Sequence, residues 1–76
     1  MKGFVNITLD RTSSSKPSTI IDKINKLPNV KLAHLVTGTV DAIALIDAPT
    51  ADDFRDALFA VGRVAGVAST NTNVVL

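Results

Sequence analysis

The chain opens on a two-residue rhythm. Across residues 3–9 (GFVNITL), Val5, Ile7 and Leu9 alternate with Phe4, Asn6 and Thr8, the pattern of a half-buried strand. Residues 10–15 (DRTSSS) are polar and turn-rich, which predicts a loop. Pro17 stands where a helix begins, because its missing N–H costs nothing in the first turn. Ile20, Ile21, Ile24 and Leu27 then recur at helical spacing, with Asp22, Lys23, Asn25 and Lys26 on the opposite side. Leu27-Pro28-Asn29 ends that helix: proline cannot continue it and asparagine tolerates a left-handed residue. Residues 30–37 (VKLAHLVT) predict a second strand, and Gly38-Thr39-Val40 a tight reversal. Residues 41–47 (DAIALID) are apolar on both faces, as in a central strand covered from two sides. Ala48-Pro49 ends it, and Thr50 with Asp53 three residues on forms a capping-box-like start for a second helix. Phe54, Ala57, Leu58, Val61 and Val64 make its buried stripe. Ala65-Gly66 breaks it, and residues 67–76 form a last strand that is polar in the middle and apolar at its end.

The resulting order is β-α-β-β-α-β, and its halves match. With a shift of 37 residues, Lys26-Leu27-Pro28-Asn29-Val30 falls on Arg63-Val64-Ala65-Gly66-Val67. Each run is a basic residue, an aliphatic, a helix breaker, a residue suited to positive φ, then valine. Val5, Ile7 and Leu9 likewise fall on Ala42, Ala44 and Ile46, and Ile21 and Ile24 on Leu58 and Val61. Two such units make an α+β, ferredoxin-like sandwich, a four-stranded antiparallel sheet of order 4-1-3-2. Right-handed crossovers put both helices on one face.

The other face is then bare. Phe4, Ile43 and Leu45 point there, beside Asn6, Thr8 and Asp47. Each large apolar side chain left in water forgoes about 1.5–3 kcal/mol. At 76 residues the chain makes one small domain (residues 1–76), and without cysteine it has neither disulfides nor a thiolate metal site. The remaining stabiliser is packing or a partner. Hydrophobic residues are 46% of the chain and aromatic ones only 4%, so aliphatic side chains must build the core. A second copy laid sheet against sheet through Phe4, Ile43 and Leu45 is the simplest cover. Phe59 adds to that expectation of association: it sits roughly 140° around the second helix from Phe54, on an otherwise polar side. A singly exposed aromatic is the plainer reading of that residue.

Charge and candidate chemistry narrow the function. The net charge of +1 offers no basic stripe, and no helix-turn-helix pattern is present, so direct DNA binding is not expected. No apolar run approaches the roughly 20 residues of a membrane span, and the strand-like start carries no signal-peptide pattern. A cytoplasmic domain is expected. His34 is the only histidine and sits on a predicted strand; only copies gathered at a symmetry axis, or a carboxylate brought by another copy, would give it metal co-ligands. Ser13, Ser14 and Ser15 have no neighbouring base, and Asp52, Asp53 and Asp56 suit the first turns of a helix. No phosphate-binding glycine motif occurs. Neither enzymatic activity nor a cofactor is expected. The segment Val36-Thr37-Gly38-Thr39-Val40-Asp41 is different: its turn glycine exposes N–H groups to an anion, and Asp41 can accept an ammonium. Those are the two ends of a free α-amino acid. From the residues alone, a plain hairpin whose aspartate caps the turn is the more economical reading.

The β-α-β-β-α-β order, the V-T-G-x-x-D hairpin, Gly66-Val67 entering the last strand, and Thr70-x-Thr72 followed by Val74-Val75-Leu76 resemble the effector (RAM) domain of the Lrp/AsnC, or feast/famine, transcription regulators. The resemblance spans essentially the whole chain. In full-length members this domain follows a DNA-binding helix-turn-helix; here the chain starts at the first strand and resembles a stand-alone version. The resemblance implies a homodimer with facing sheets, dimers assembling into octamers or decamers, association with full-length Lrp/AsnC regulators, and amino-acid effectors held between dimers. Carried over, the effector-binding positions are Thr37, Gly38 and Asp41, with Thr70 and Thr72 as polar lining. Two positions depart from the family pattern: Val40 where an aromatic is common, and Thr39 where an acidic or polar residue often follows the glycine. They imply a smaller or drier pocket, a different effector, or none. The other readings are an assembly protein without effector, metal binding through clustered His34, and an enzyme on the related dimeric α+β barrel. The absence of Tyr and Trp argues against the last.

Overall fold

The computed structural model describes residues 1–76. Its elements are β1 (Lys2–Leu9), α1 (Pro17–Asn25), β2 (Val30–Leu35), β3 (Ala42–Asp47), α2 (Ala51–Gly62) and β4 (Val67–Val74). The sheet is antiparallel throughout and runs β2-β3-β1-β4, the order predicted from the two crossovers. No helix is long and apolar enough to cross a membrane.

The core lies between the helices and one face of the sheet. Val5 and Ile7 of β1, Ala33 of β2, and Ala42, Ala44 and Ile46 of β3 are buried there against Ile20 and Ile24 of α1 and Phe54, Ala57 and Val61 of α2. Leu9, Ile21, Leu27, Leu58 and Val64 pack around this group half-buried, so the whole predicted apolar set is used. The small β3 residues Ala42 and Ala44 lie under the helices, and the large Ile43 and Leu45 face the other way. The central strand is therefore covered on one side of the protomer only.

Several boundaries are tighter than the sequence pattern indicates. Helix α1 stops at Asn25 and α2 at Gly62; Leu27 and Val64 reach the core from the turns that follow. Strand β2 ends at Leu35, leaving Val36 and Thr37 in the loop, and Asp41 precedes β3. The last strand ends at Val74, although the Val75 N–H still donates to Lys2 O at 2.8 Å.

The internal repeat holds at backbone level. Lys26 and Arg63 cap the two helices with nearly identical dihedrals, φ −89° and ψ −7° against φ −91° and ψ −6°. Asn29 (φ 68°) and Gly66 (φ 99°) both take the left-handed conformation. Lys31 and Ala68, again equivalent, are the residues passed over where the β2 and β4 registers shift. These bulges turn Val30 and Val67 onto the core face, opposite Ile46 and Leu9.

Candidate functional site

On the open face the register lines up two rows across the sheet. Leu32, Leu45, Phe4 and Asn73 form one, and His34, Ile43, Asn6 and Asn71 the other. Phe4 is 44% exposed and Leu32 39%, whereas Ile43 and Leu45 are half-buried by their neighbours. Asn6 Nδ2 donates to Asn73 Oδ1 at 2.9 Å, so the face grades from apolar on β2 and β3 to amide-bearing on β1 and β4. Leu32 joins the apolar group that the sequence reading restricted to Phe4, Ile43 and Leu45. Its place is decided by its β3 partner, which the β2 pattern alone does not reveal. His34 is exposed in the second row, and no three His, Cys, Asp or Glu side chains converge anywhere in the protomer.

The five predicted effector residues fall in three places. Thr37 and Gly38 lie in the β2–β3 loop, beside a shallow hollow shared with Asn6, Ile43 and Asn71 on the open-face side. Gly38 has φ 121°, a conformation that glycine alone adopts without strain. The loop is closed by the Val36 N–H donating to Asp41 O at 3.0 Å.

Asp41 faces elsewhere. Its Oδ2 accepts the Leu9 N–H at 2.8 Å, and its Oδ1 pairs with Arg11 Nη2 at 3.2 Å. Pairing of β1 with β3 ends at Ile7 opposite Ala42, so the Leu9 N–H finds no β3 carbonyl. A buried donor needs a partner, and the Asp41 carboxylate supplies it. The residues alone offer Asp41 either as a cap on its own turn, the more economical reading, or as an open acceptor for an ammonium beside Gly38. In the protomer it is instead a partly buried brace between β3 and the end of β1. It walls a cavity of about 200 Å³ that is also lined by Arg11, Ser13, Ser15, Pro17 and Ile20.

The serine-rich loop beside that cavity is organised by its own side chains. Asp10 Oδ1 accepts from Thr12 Oγ1 at 2.7 Å and from the Thr12 N–H at 2.9 Å. These two bonds, the hydroxyl first, hold the Asp10 carboxyl below its ordinary pKa, since both favour the ionised form. Ser13 Oγ accepts from the Ser15 N–H at 3.1 Å.

Thr70 and Thr72 are on the helix side of β4, opposite Ile7 and Val5. As an edge strand, β4 lies only partly beneath α2, and a cleft of about 520 Å³ opens between them, lined by Leu58, Phe59, Gly62, Arg63, Thr70 and Thr72. Small-molecule sites span roughly 300–1,000 Å³; this groove, broadly open to solvent, and the hollow of about 670 Å³ beside the β2–β3 loop both fall in that range, and the 200 Å³ cavity does not. Phe59, 53% exposed, belongs here, on the helix layer and away from the Phe4 face. Gly62 and Arg63 escape sequence reasoning because glycine at a helix end and a basic C-cap both read as termination signals.

Comparison with solved structures gives the same architecture. The chain is similar to FFRP-DM1 at 20% identity and TM-score 0.84, with 99% of this chain and 97% of that one covered. It is similar to E. coli AsnC at 24% identity and TM-score 0.82, covering 99% of this chain and 50% of that one, so it spans about half the length of that protein. A feast or famine regulatory protein from M. tuberculosis complexed with L-methionine matches at 23% identity and TM-score 0.77, with 99% and 49% covered. No curated protein matches the chain in sequence. Residues 2–76 match the family model of the Lrp/AsnC ligand binding domain, and the chain belongs to that family.

Proposed function

We propose that this protein is an oligomeric sensor module, binding a small effector, an amino acid, at interfaces between dimers and thereby modulating transcription regulators. One observation carries the reading: apart from Asp41, which faces a third place, the predicted effector residues are divided between two surfaces of the protomer, the β2–β3 loop with Thr37 and Gly38 and the α2–β4 cleft with Thr70 and Thr72. A single site made from both needs two copies, one offering its loop and the other its cleft. Such a contact is head-to-tail and generates a ring when it closes. The dimers entering the ring form through Phe4, Ile43 and Leu45, where apolar surface is otherwise left in water. Full-length Lrp/AsnC regulators, which carry the same kind of domain, are the natural partners for mixed assembly. The methionine complex of the M. tuberculosis relative supports an amino acid as the effector class.

Light scattering with and without an amino-acid mixture tests assembly, and calorimetry against the twenty common amino acids tests sensing. Octamer- or decamer-sized particles and saturable binding of at least one amino acid are expected. Asp41→Asn keeps an oxygen for the Leu9 N–H while removing the charge, and weakens binding if the Asp41 carboxylate turns to an effector ammonium in the assembly. A monomer in dilute buffer would overturn the proposal.

A second reading is favoured by the Asp41 geometry itself. A carboxylate already committed to Leu9 and Arg11 suits an assembly module that has no effector. Intact rings that bind none of the amino acids would establish that reading instead.

A further inference from the structure

The open face carries side chains of three kinds that a second copy would cover. Phe4, Leu32, Ile43 and Leu45 are apolar, Asn6, Asn71 and Asn73 are amides, and His34 belongs to the one residue type that ordinarily changes its charge between about pH 5 and 8. His34 stands on β2 opposite Ile43, two residues along from exposed Leu32 and on the same side of the pleat. Facing sheets lie about 10 Å apart, so a copy that covers Leu32 and Ile43 covers His34 as well.

What surrounds His34 suits an uncharged ring. A neutral imidazole has one donor and one acceptor, and the amides of Asn6 and Asn71 in its own row offer both in return. An imidazolium needs a counter-charge, and the face has little to give. Strand β4 has no ionisable residue, β1 contributes Lys2, β2 has Lys31 at its bulge, and β3 contributes Asp47. That one carboxylate lies two rows from His34 and directly opposite Lys2. Asp41 is turned away, its oxygens on the Leu9 N–H and on Arg11. Each face therefore sets two cations against one anion, and protonation of His34 raises the excess on both copies at once. A covered charge without a partner is costly, and like charges brought together repel.

We infer that the sheet-to-sheet contact is gated by protons through His34: two copies associate while both imidazoles are neutral and separate as they become charged. This regulation rests on the sheet-to-sheet dimer proposed above. Each dimer covers two histidines, so two protons enter as it separates. Below the pH at which the free imidazole charges, the dissociation constant then climbs with the square of the proton concentration, a steeper response than one histidine could give.

Sedimentation equilibrium at pH 7.5 and pH 5.0 reads this directly, with EDTA in both buffers and far-UV circular dichroism alongside to detect unfolding. The wild-type dissociation constant is expected to rise at least about thirtyfold at the lower pH. His34→Gln keeps a neutral hydrogen-bonding side chain and should remain dimeric at both pH values. His34→Arg fixes the charge and should be as weak at pH 7.5 as the wild type is at pH 5.0. Ile43→Lys should break the dimer at pH 7.5 and so identify the interface. An acid response shared by His34→Gln, whether dissociation or unfolding, overturns the inference and leaves the dimer standing. So does a wild type indifferent to pH, or one that associates more tightly at pH 5.0 because a carboxylate of the facing copy meets His34. Dissociation on adding EDTA at pH 7.5 would put a metal ion in place of the proton and overturn it too. A monomer at both pH values, or a dimer unaffected by Ile43→Lys, removes the sheet-to-sheet reading and the inference with it.

Discussion

The two β-α-β units leave their helices in the same way and enter them differently. At the exits, Lys26 and Arg63, Asn29 and Gly66, and Lys31 and Ala68 repeat cap, left-handed residue and bulge in register. At the entrances nothing repeats. Helix α2 begins at Thr50, whose hydroxyl accepts the Asp53 N–H at 3.1 Å, with Asp52 and Asp53 complementing the dipole of the first turn. Helix α1 begins after Lys16 with no side-chain cap and no acidic residue in its first turn, and runs 9 residues against 12. The turn that α1 lacks is replaced by the Asp10–Thr12 and Ser13–Ser15 loop, and the small Asp41 cavity opens there. The exit must deliver a valine to the core face at a fixed register, so its backbone is constrained. The entrance only has to start a helix, and it is free to vary.

The largest effect should come from forcing the two exits apart. At Gly66 a Cβ would overlap the Cδ1 of buried Ile20 and lie 2.9 Å from its Cγ1, in addition to the left-handed strain. Gly66→Ala should cost about 2–4 kcal/mol by urea unfolding, strain and overpacking together. In an Ile20→Val background, which removes Cδ1, the added cost should shrink; an unchanged cost would mean that the dihedral alone matters. Asn29→Ala meets only the backbone term and should lose about 1 kcal/mol, so equal losses at the two positions would erase the distinction.

The entrances give smaller effects of opposite sign. Thr50→Ala removes the cap of α2 and should destabilise by about 1 kcal/mol. Lys16 already has the extended backbone of a cap, with φ −72° and ψ 145°, so Lys16→Asp should stabilise by about 0.5–1 kcal/mol. No gain would show that the loop, rather than the missing cap, limits α1.

The smallest effect is electrostatic. Because the Asp10 carboxyl titrates below its ordinary value in the folded protein, its stabilising contribution is present above the unfolded pKa and fades as pH falls through the folded one. Thr12→Val removes the hydroxyl bond, the larger cause. An NMR titration should show the Asp10 midpoint rising toward the ordinary carboxyl value, with the variant and wild type converging in stability at strongly acid pH.

The fold was legible because its signals are local. Alternation in β1, the helical stripes ending at Leu27 and Val64, the cap at Thr50 and the paired breakers at Pro28-Asn29 and Ala65-Gly66 each act over a few residues, and their order leaves few topologies. The open face was legible too, since β1 and β3 carry large apolar residues on both sides of the pleat. The site was far less so. Asp41 reads as a turn residue beside Gly38, yet its role is set by the unpaired Leu9 N–H, a donor 32 positions away in sequence. Leu32 joins Leu45 and Phe4 only through strand pairing, and Gly62 acquires meaning only because β4 lies beside it without filling the space.

By itself, then, the sequence determined which residues are strand, helix and turn, that two equivalent units are present, and which side chains seek the core. Periodicity and capping are properties of neighbouring residues, so they are written along the chain. Only the tertiary structure decided that the loop and the α2–β4 cleft are separate surfaces, that Asp41 braces a strand end, and that Arg63 is left unpaired. Those outcomes depend on which backbone groups and charges remain unsatisfied once the sheet has closed, and no local pattern records that remainder.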